Sequence, residues 1–159
     1  YFASKEKLYG AVLQRISDDF LEQQLDAEQS SSDPILNIKR FYARLVTPSS
    51  TNLRRTRLLM RELLDNNDRA ASVESWYLKD FLRRLVDMTS AVPAFRTLNE
   101  VQVLTLTYQW LGAVNYFLIS PATLRAIFGA KMHCDMERVF LDGLHQQIEA
   151  QMTITEKRE

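Results

Sequence analysis

The stretch VQVLTLTYQWLGAVNYFLISPATL, residues 101–124, holds no charged side chain, although charged residues make up 25% of the protein. A membrane span is the first reading of such a run. Gln102, Thr105, Thr107, Gln109, Asn115 and Ser120 make it too polar for that, and no basic cluster flanks it closely on one side. A helix without charge on any face is instead one surrounded by protein. It takes either a central core position or a core position on one side and a subunit interface on the other. The 159 residues are enough for one domain with a sizeable core.

The rest of the chain reads as further helices. It has four Gly and four Pro, and Pro34, Pro48, Pro93 and Pro121 fall between stretches of helical periodicity. Asp33-Pro34 and Ser120-Pro121 each place a capping residue before a proline at the first helical position. Thr97-Leu98-Asn99-Glu100 has the pattern of a capping box. No sustained alternation and no Asn-Gly turn argues for strands. The expected class is all-α, with about six to seven helices. The first runs from Ser4 to about Gln29, roughly 40 Å long, with Leu8, Val12, Ile16 and Phe20 at four-residue steps and Leu13, Leu21 and Leu25 alongside. Others are expected over 33–47, 52–65 and 72–91. After the uncharged helix come a short one, Ser120 to Phe128, ended by Gly129, and a last one from about Cys134 to Met152. This last helix carries a stripe of Met136, Val139, Phe140, Leu144, Ile148 and Met152, with Gly143 allowing close approach of another backbone.

Composition excludes several roles. Twenty Lys and Arg balance twenty Asp and Glu, so the chain has no overall attraction to nucleic acid. Arg54, Arg55, Arg57 and Arg61 are followed at once by Glu62, Asp65 and Asp68, the pattern of a solvated face rather than of a phosphate grip. One cysteine, Cys134, rules out an internal disulfide framework and fits a reducing cytoplasm. No catalytic constellation is legible. Asp142-x-x-His145 is half of a di-iron spacing without its second half, and His133, Cys134 and Asp135 are adjacent and cannot converge on one metal. Glycine-rich phosphate loops and nucleophile elbows are missing, so no cofactor, no metal and no enzyme activity are expected.

The chain opens with Tyr1-Phe2-Ala3-Ser4-Lys5-Glu6-Lys7-Leu8-Tyr9. Ser4 can accept from the free N–H groups of a first helical turn, and Glu6 favours the positive end of the helix dipole. Lys7 stands where a strict capping box would have Glu or Gln. The string resembles the hand-over from recognition helix to connecting helix in the tetracycline-repressor (TetR) family of bacterial transcriptional regulators, whose pattern is like YxHF-x-S-K-E-x-L. Tyr1 replaces the usual His. The order of helix lengths matches the family as well. The resemblance implies a boundary near residue 8. Residues 1–8 would end a DNA-binding domain and start the connecting helix, and residues 9–159 would form a ligand-binding and dimerisation domain. Tyr1 and Lys5 would touch the DNA backbone, and operator DNA would otherwise be reached only through a helix-turn-helix upstream of Tyr1. The last two long helices would form a four-helix bundle in a homodimer, with Trp110, Val114, Met136, Val139, Phe140, Gly143, Leu144 and Ile148 in the interface. The localisation implied is cytoplasmic, with no membrane partner.

A cavity for a small, mainly hydrophobic effector needs apolar walls with a few polar groups aimed inwards. Phe41, Tyr42, Trp76, Tyr77 and Phe81 are aromatic candidates. Thr105, Tyr108, Gly112 and Asn115 share one face of the uncharged helix at three- and four-residue steps. Arg61 is a candidate for an anionic group, although pairing with Asp65 is the plainer expectation. A helical protein-interaction module, with a filled core around Tyr108 and Asn115, is the alternative.

Overall fold

A computed structural model describes residues 4–47, 50–65 and 77–156, and all the regular structure in them is helical. Among the described residues the helices are α1 (Lys5–Gln29), α2 (Pro34–Val46), α3 (Ser50–Asp65), α4 (Lys79–Ser90), α5 (Glu100–Ile119) and α6 (Pro121–Glu156), with a 3-10 turn at Pro93–Phe95. Their ends follow local hydrogen bonding. The Ser4 hydroxyl accepts from the Lys7 N–H at 3.1 Å, and Asp33 Oδ1 from the Ile35 N–H at 3.0 Å, so both starts are capped as expected.

Three boundaries differ from expectation. The capping box of α5 is formed by Asn99 and Gln102: Asn99 Oδ1 accepts from the Gln102 N–H at 3.0 Å and Gln102 Oε1 from the Asn99 N–H at 2.9 Å. The box cannot start at Thr97, because the turn after Pro93 is still closing there, with the Leu98 N–H bonded to the Phe95 carbonyl at 3.0 Å. Ser120 does not cap forwards. Its hydroxyl donates back to the Tyr116 carbonyl at 2.6 Å, closing α5 before the chain bends by 72° into α6. The last helix resumes directly after Gly129 rather than at Cys134, since Ala130, Lys131 and Met132 favour helix. Tyr77 and Leu78 form a turn ahead of α4, and the start expected at Ser72 lies outside the described residues.

The core gathers around α5. Its inner face, Val103, Leu106, Thr107, Trp110, Leu111, Val114, Phe117 and Leu118, is buried, whereas Val101, Leu104, Tyr108 and Tyr116 are exposed on the outside. The uncharged helix is therefore enclosed by this chain on one side only. Trp110 meets Tyr42 of α2 edge-on at 6.3 Å and Phe95 at 6.0 Å, and Phe117 stacks on Phe140 of α6 at 3.9 Å. The Thr107 and Thr89 hydroxyls meet at 3.1 Å between α5 and α4. The buried stripe of α1 is Leu13, Ile16, Ser17, Phe20, Gln24 and Ala27. Leu8, Val12 and Leu25 are exposed, because a strict four-residue step drifts off a face that repeats every 3.6 residues.

Charge sits at the helix junctions. Asp19 of α1 pairs with Arg55 of α3, Glu28 of α1 with Arg84 of α4, and Lys39 of α2 with Glu149 of α6. His145 Nε2 lies 3.2 Å from the Lys39 carbonyl at the same α2–α6 junction.

Two outcomes follow for stability. Gly129 has φ 84° and ψ 161°, a region essentially restricted to glycine, so Gly129→Ala is expected to lower the unfolding free energy by about 1–3 kcal/mol in urea titration. At Glu149, the hydrogen bond and charge of Lys39 hold the carboxyl below its ordinary value of 4.5. A depressed carboxyl contributes stability above its unfolded-state value, and that contribution disappears as pH falls through its folded value. Glu149→Gln should therefore melt below the parent at pH 7, with the gap closing as pH falls below 4.5, as calorimetry across pH would record.

Candidate ligand-binding site

Five helices and the turn before α4 enclose a cavity of about 320 Å³, near the lower end for small-molecule sites. Phe20 reaches it from α1 and Leu45 from α2. Thr56, Leu59, Met60 and Leu63 come from α3, Leu78, Phe81 and Leu82 from around the start of α4, and Tyr108, Leu111, Gly112, Val114, Asn115, Tyr116, Leu118 and Ile119 from α5. The α3 set is spaced three and four apart. One face of an otherwise arginine-rich helix thus turns to the cavity, while Arg54, Arg57 and Arg61 are exposed and Glu62 is buried outside the cavity wall.

The expected ligand residues divide clearly. Phe81, Tyr108 and Asn115 line the cavity, and Gly112 lies beside them. Phe20 and Phe81 pack against each other in its wall, with ring centroids 5.1 Å apart. Thr105 does not reach it. Its side chain is exposed, its hydroxyl donates to the Val101 carbonyl at 2.7 Å, and it lines a shallow groove with Leu104 and Gln109. Phe41 and Tyr42 are fully buried in the core beneath, away from the cavity wall. Burial pushes the Tyr42 hydroxyl well above its ordinary value, so it stays neutral. Arg61 is exposed and stands outside the cavity. Trp76 and Tyr1 lie outside the described residues, and Lys5 is exposed at the first turn of α1.

Tyr77 is half-buried and touches α1 instead of the cavity: a Cβ built on Gly10 would come within 2.5 Å of its hydroxyl. Leu78 beside it is a cavity wall, so the turn before α4 spans the distance from the cavity to α1. Gln24 makes a second link. It is fully buried, and its Nε2 donates to the Phe81 carbonyl at 3.1 Å.

Thr56 is a buried polar residue of the cavity that the sequence signals did not single out. It is only 5% exposed and sits between Arg55 and Arg57. The signal that could have found it is its spacing to Leu59, Met60 and Leu63.

Of the residues expected at a subunit interface, Trp110, Val114, Leu144 and Ile148 are buried inside the single chain and belong to its core. The long-range packing of α5 and α6 on α2 and the 3-10 turn takes up that face. Met136 and Phe140 pack partly against the core, Gly143 is half-buried with open space where a Cβ would project, and Val139 is 63% exposed. The other exposed apolar residues of α6 are Ile127, Phe128, Met132 and Ile154. His133 is buried, with Nδ1 3.4 Å from Arg125 and 3.5 Å from Glu137, whereas Cys134 is exposed. Among the described residues no three metal-ligating side chains converge. No described helix is by itself long and apolar enough to cross a membrane.

Gly112 has nothing within 4 Å of where a Cβ would stand and lies in the middle of α5. Gly112→Ala should therefore raise the unfolding free energy by about 0.5–1 kcal/mol through helix propensity, measured by chemical denaturation, while adding a methyl group to the cavity wall.

No protein-family model, curated protein or solved structure matches this chain.

Proposed function

We propose that the chain is the effector-sensing and dimerisation part of a TetR-like transcriptional regulator, a repressor in the usual case, which binds a small and mainly hydrophobic molecule. The observation that carries this reading is the apolar cavity touching α1 through Phe20. The helix that begins at the Ser4-Lys5-Glu6 start is thereby in direct contact with the ligand space. A ligand seated there pushes on α1 itself and, through Leu78 and Tyr77, on the α1 backbone at Gly10.

In a homodimer each α1 would carry one DNA-binding head, and two heads must sit about 34–36 Å apart to enter successive major grooves. A few ångströms of splay spoil that fit. Reversing occupancy from 1:99 to 99:1 takes an effector preference of about 5.5 kcal/mol for one spacing. The exposed apolar residues of α6, Val139 among them, supply the surface for a second copy. The same surface also favours the rival reading, a helical interaction module, which has no use for the cavity.

Thermal unfolding with a library of small apolar compounds separates the two. A binder at a hundred times its Kd should add about 2.7 kcal/mol to stability. A library without a single stabilising member, together with monomeric sedimentation, would sink the regulator reading and leave the interaction module. For the full regulator, an effector that releases operator DNA must bind the free dimer more tightly than the DNA-bound one.

A further inference from the structure

We infer that the cavity selects an uncharged ligand, one with an apolar body and a single hydrogen-bonding group such as an alcohol, ketone or amide. Thr56 and Asn115 are the side chains that receive that group. The inference rests on reading the cavity as an effector site and specifies what that site accepts.

Charge is the first argument. None of the described residues lining the cavity is acidic or basic, although α3 alone carries Arg54, Arg55, Arg57, Arg61 and Glu62. The arginine next to Thr56 is turned the other way, where Arg55 pairs with Asp19 of α1. An ion entering such walls loses its water and gains no counter-charge, which is the costliest form of burial. A carboxylate or an ammonium is therefore rejected by the same walls that favour its neutral analogue.

The second argument is the placement of hydrogen-bonding capacity. Thr56 is more than nine-tenths buried, yet its hydroxyl has no partner among the described residues. Other buried threonines here do otherwise: the Thr89 hydroxyl donates to the Leu85 carbonyl and the Thr107 hydroxyl to the Val103 carbonyl, both at 2.9 Å. The half-buried Asn115 amide is likewise unpartnered among the described residues. Both line the cavity, from α3 and α5, two helices that pack on each other. A hydroxyl and a primary amide each donate and accept, so together they satisfy a neutral group of either polarity. A ligand's hydroxyl or carbonyl meets there donors and acceptors that no described residue already occupies. Discrimination by a site built to hydrogen-bond its ligand is correspondingly strong.

The test is calorimetry on the whole protein at pH 7 with straight-chain probes of matched length, six to ten carbons, as primary alcohols, carboxylates and alkylammonium ions, with butylbenzene as the purely apolar probe. The alcohols are expected to bind at least 100-fold more tightly than either ion. Thr56→Val and Asn115→Leu should each weaken the best alcohol about tenfold while leaving butylbenzene unchanged, which also shows that the variants are folded. A carboxylate or ammonium bound within threefold of its alcohol overturns the inference and leaves the effector site standing, as does full alcohol affinity in both variants. If no probe binds in any form, the effector-site reading falls and takes this inference with it.

Discussion

Trp110 is the contact on which the other helices are arranged. It lies in the middle of α5, a helix with no charged residue beyond Glu100 at its first position, and it is almost fully buried between Tyr42 and Phe95. A helix of this composition is stable in water only if neighbours cover its apolar face, at about 1.5–3 kcal/mol for each large side chain buried. The position of every neighbour follows from what it adds to that face. The aromatic ring of α2 and the 3-10 turn hold Trp110 from two sides, Thr89 of α4 meets Thr107, and Phe140 of α6 stacks on Phe117. α2, α3, α4 and α6 are thus layered on α5, α1 packs on α2 and α4, and the cavity is the space that α1 to α4 line with α5 further along its length.

The ion pairs act differently. Asp19–Arg55, Glu28–Arg84 and Lys39–Glu149 lie at the margins of the core, and each joins two helices distant in sequence. Partly exposed pairs of this sort contribute about 0–1 kcal/mol each, too little to hold the fold. Their effect is on register: they fix how far α1 slides along α3 and α4, and α2 along α6. With apolar contacts tolerant of small slides, such polar pins select one arrangement among several of similar burial.

Much of the fold was legible because helix ends are decided locally. Ser4, Asp33-Pro34 and Gly129 act through bonds and dihedrals within a few residues, and each does what its sequence implies. The all-helical class followed from the same signals. What could not be read was the direction in which each helix turns. Leu8 and Val12 share a stripe with Ile16 on paper, but the inward face of α1 is fixed by Phe81 and by the Phe81 carbonyl that holds Gln24. Trp110, Leu144 and Ile148 look equally suited to core and interface, and only the tertiary packing places them inside one chain. The candidate site was half legible for the same reason. Tyr108 and Asn115 were visible as polar interruptions of an uncharged helix, whereas Thr56 was hidden between arginines that point elsewhere. Thr105 shares the spacing of Tyr108 and Asn115 but stands too near the start of α5, beyond the end of the cavity.

Cys134 stands exposed shortly after the Gly129 break, and it is the chain's sole cysteine. A single thiol per chain can form one disulfide to another copy and then has nothing left to react. Through these 159 residues, oxidation can therefore tie each copy covalently to one other copy, at Cys134.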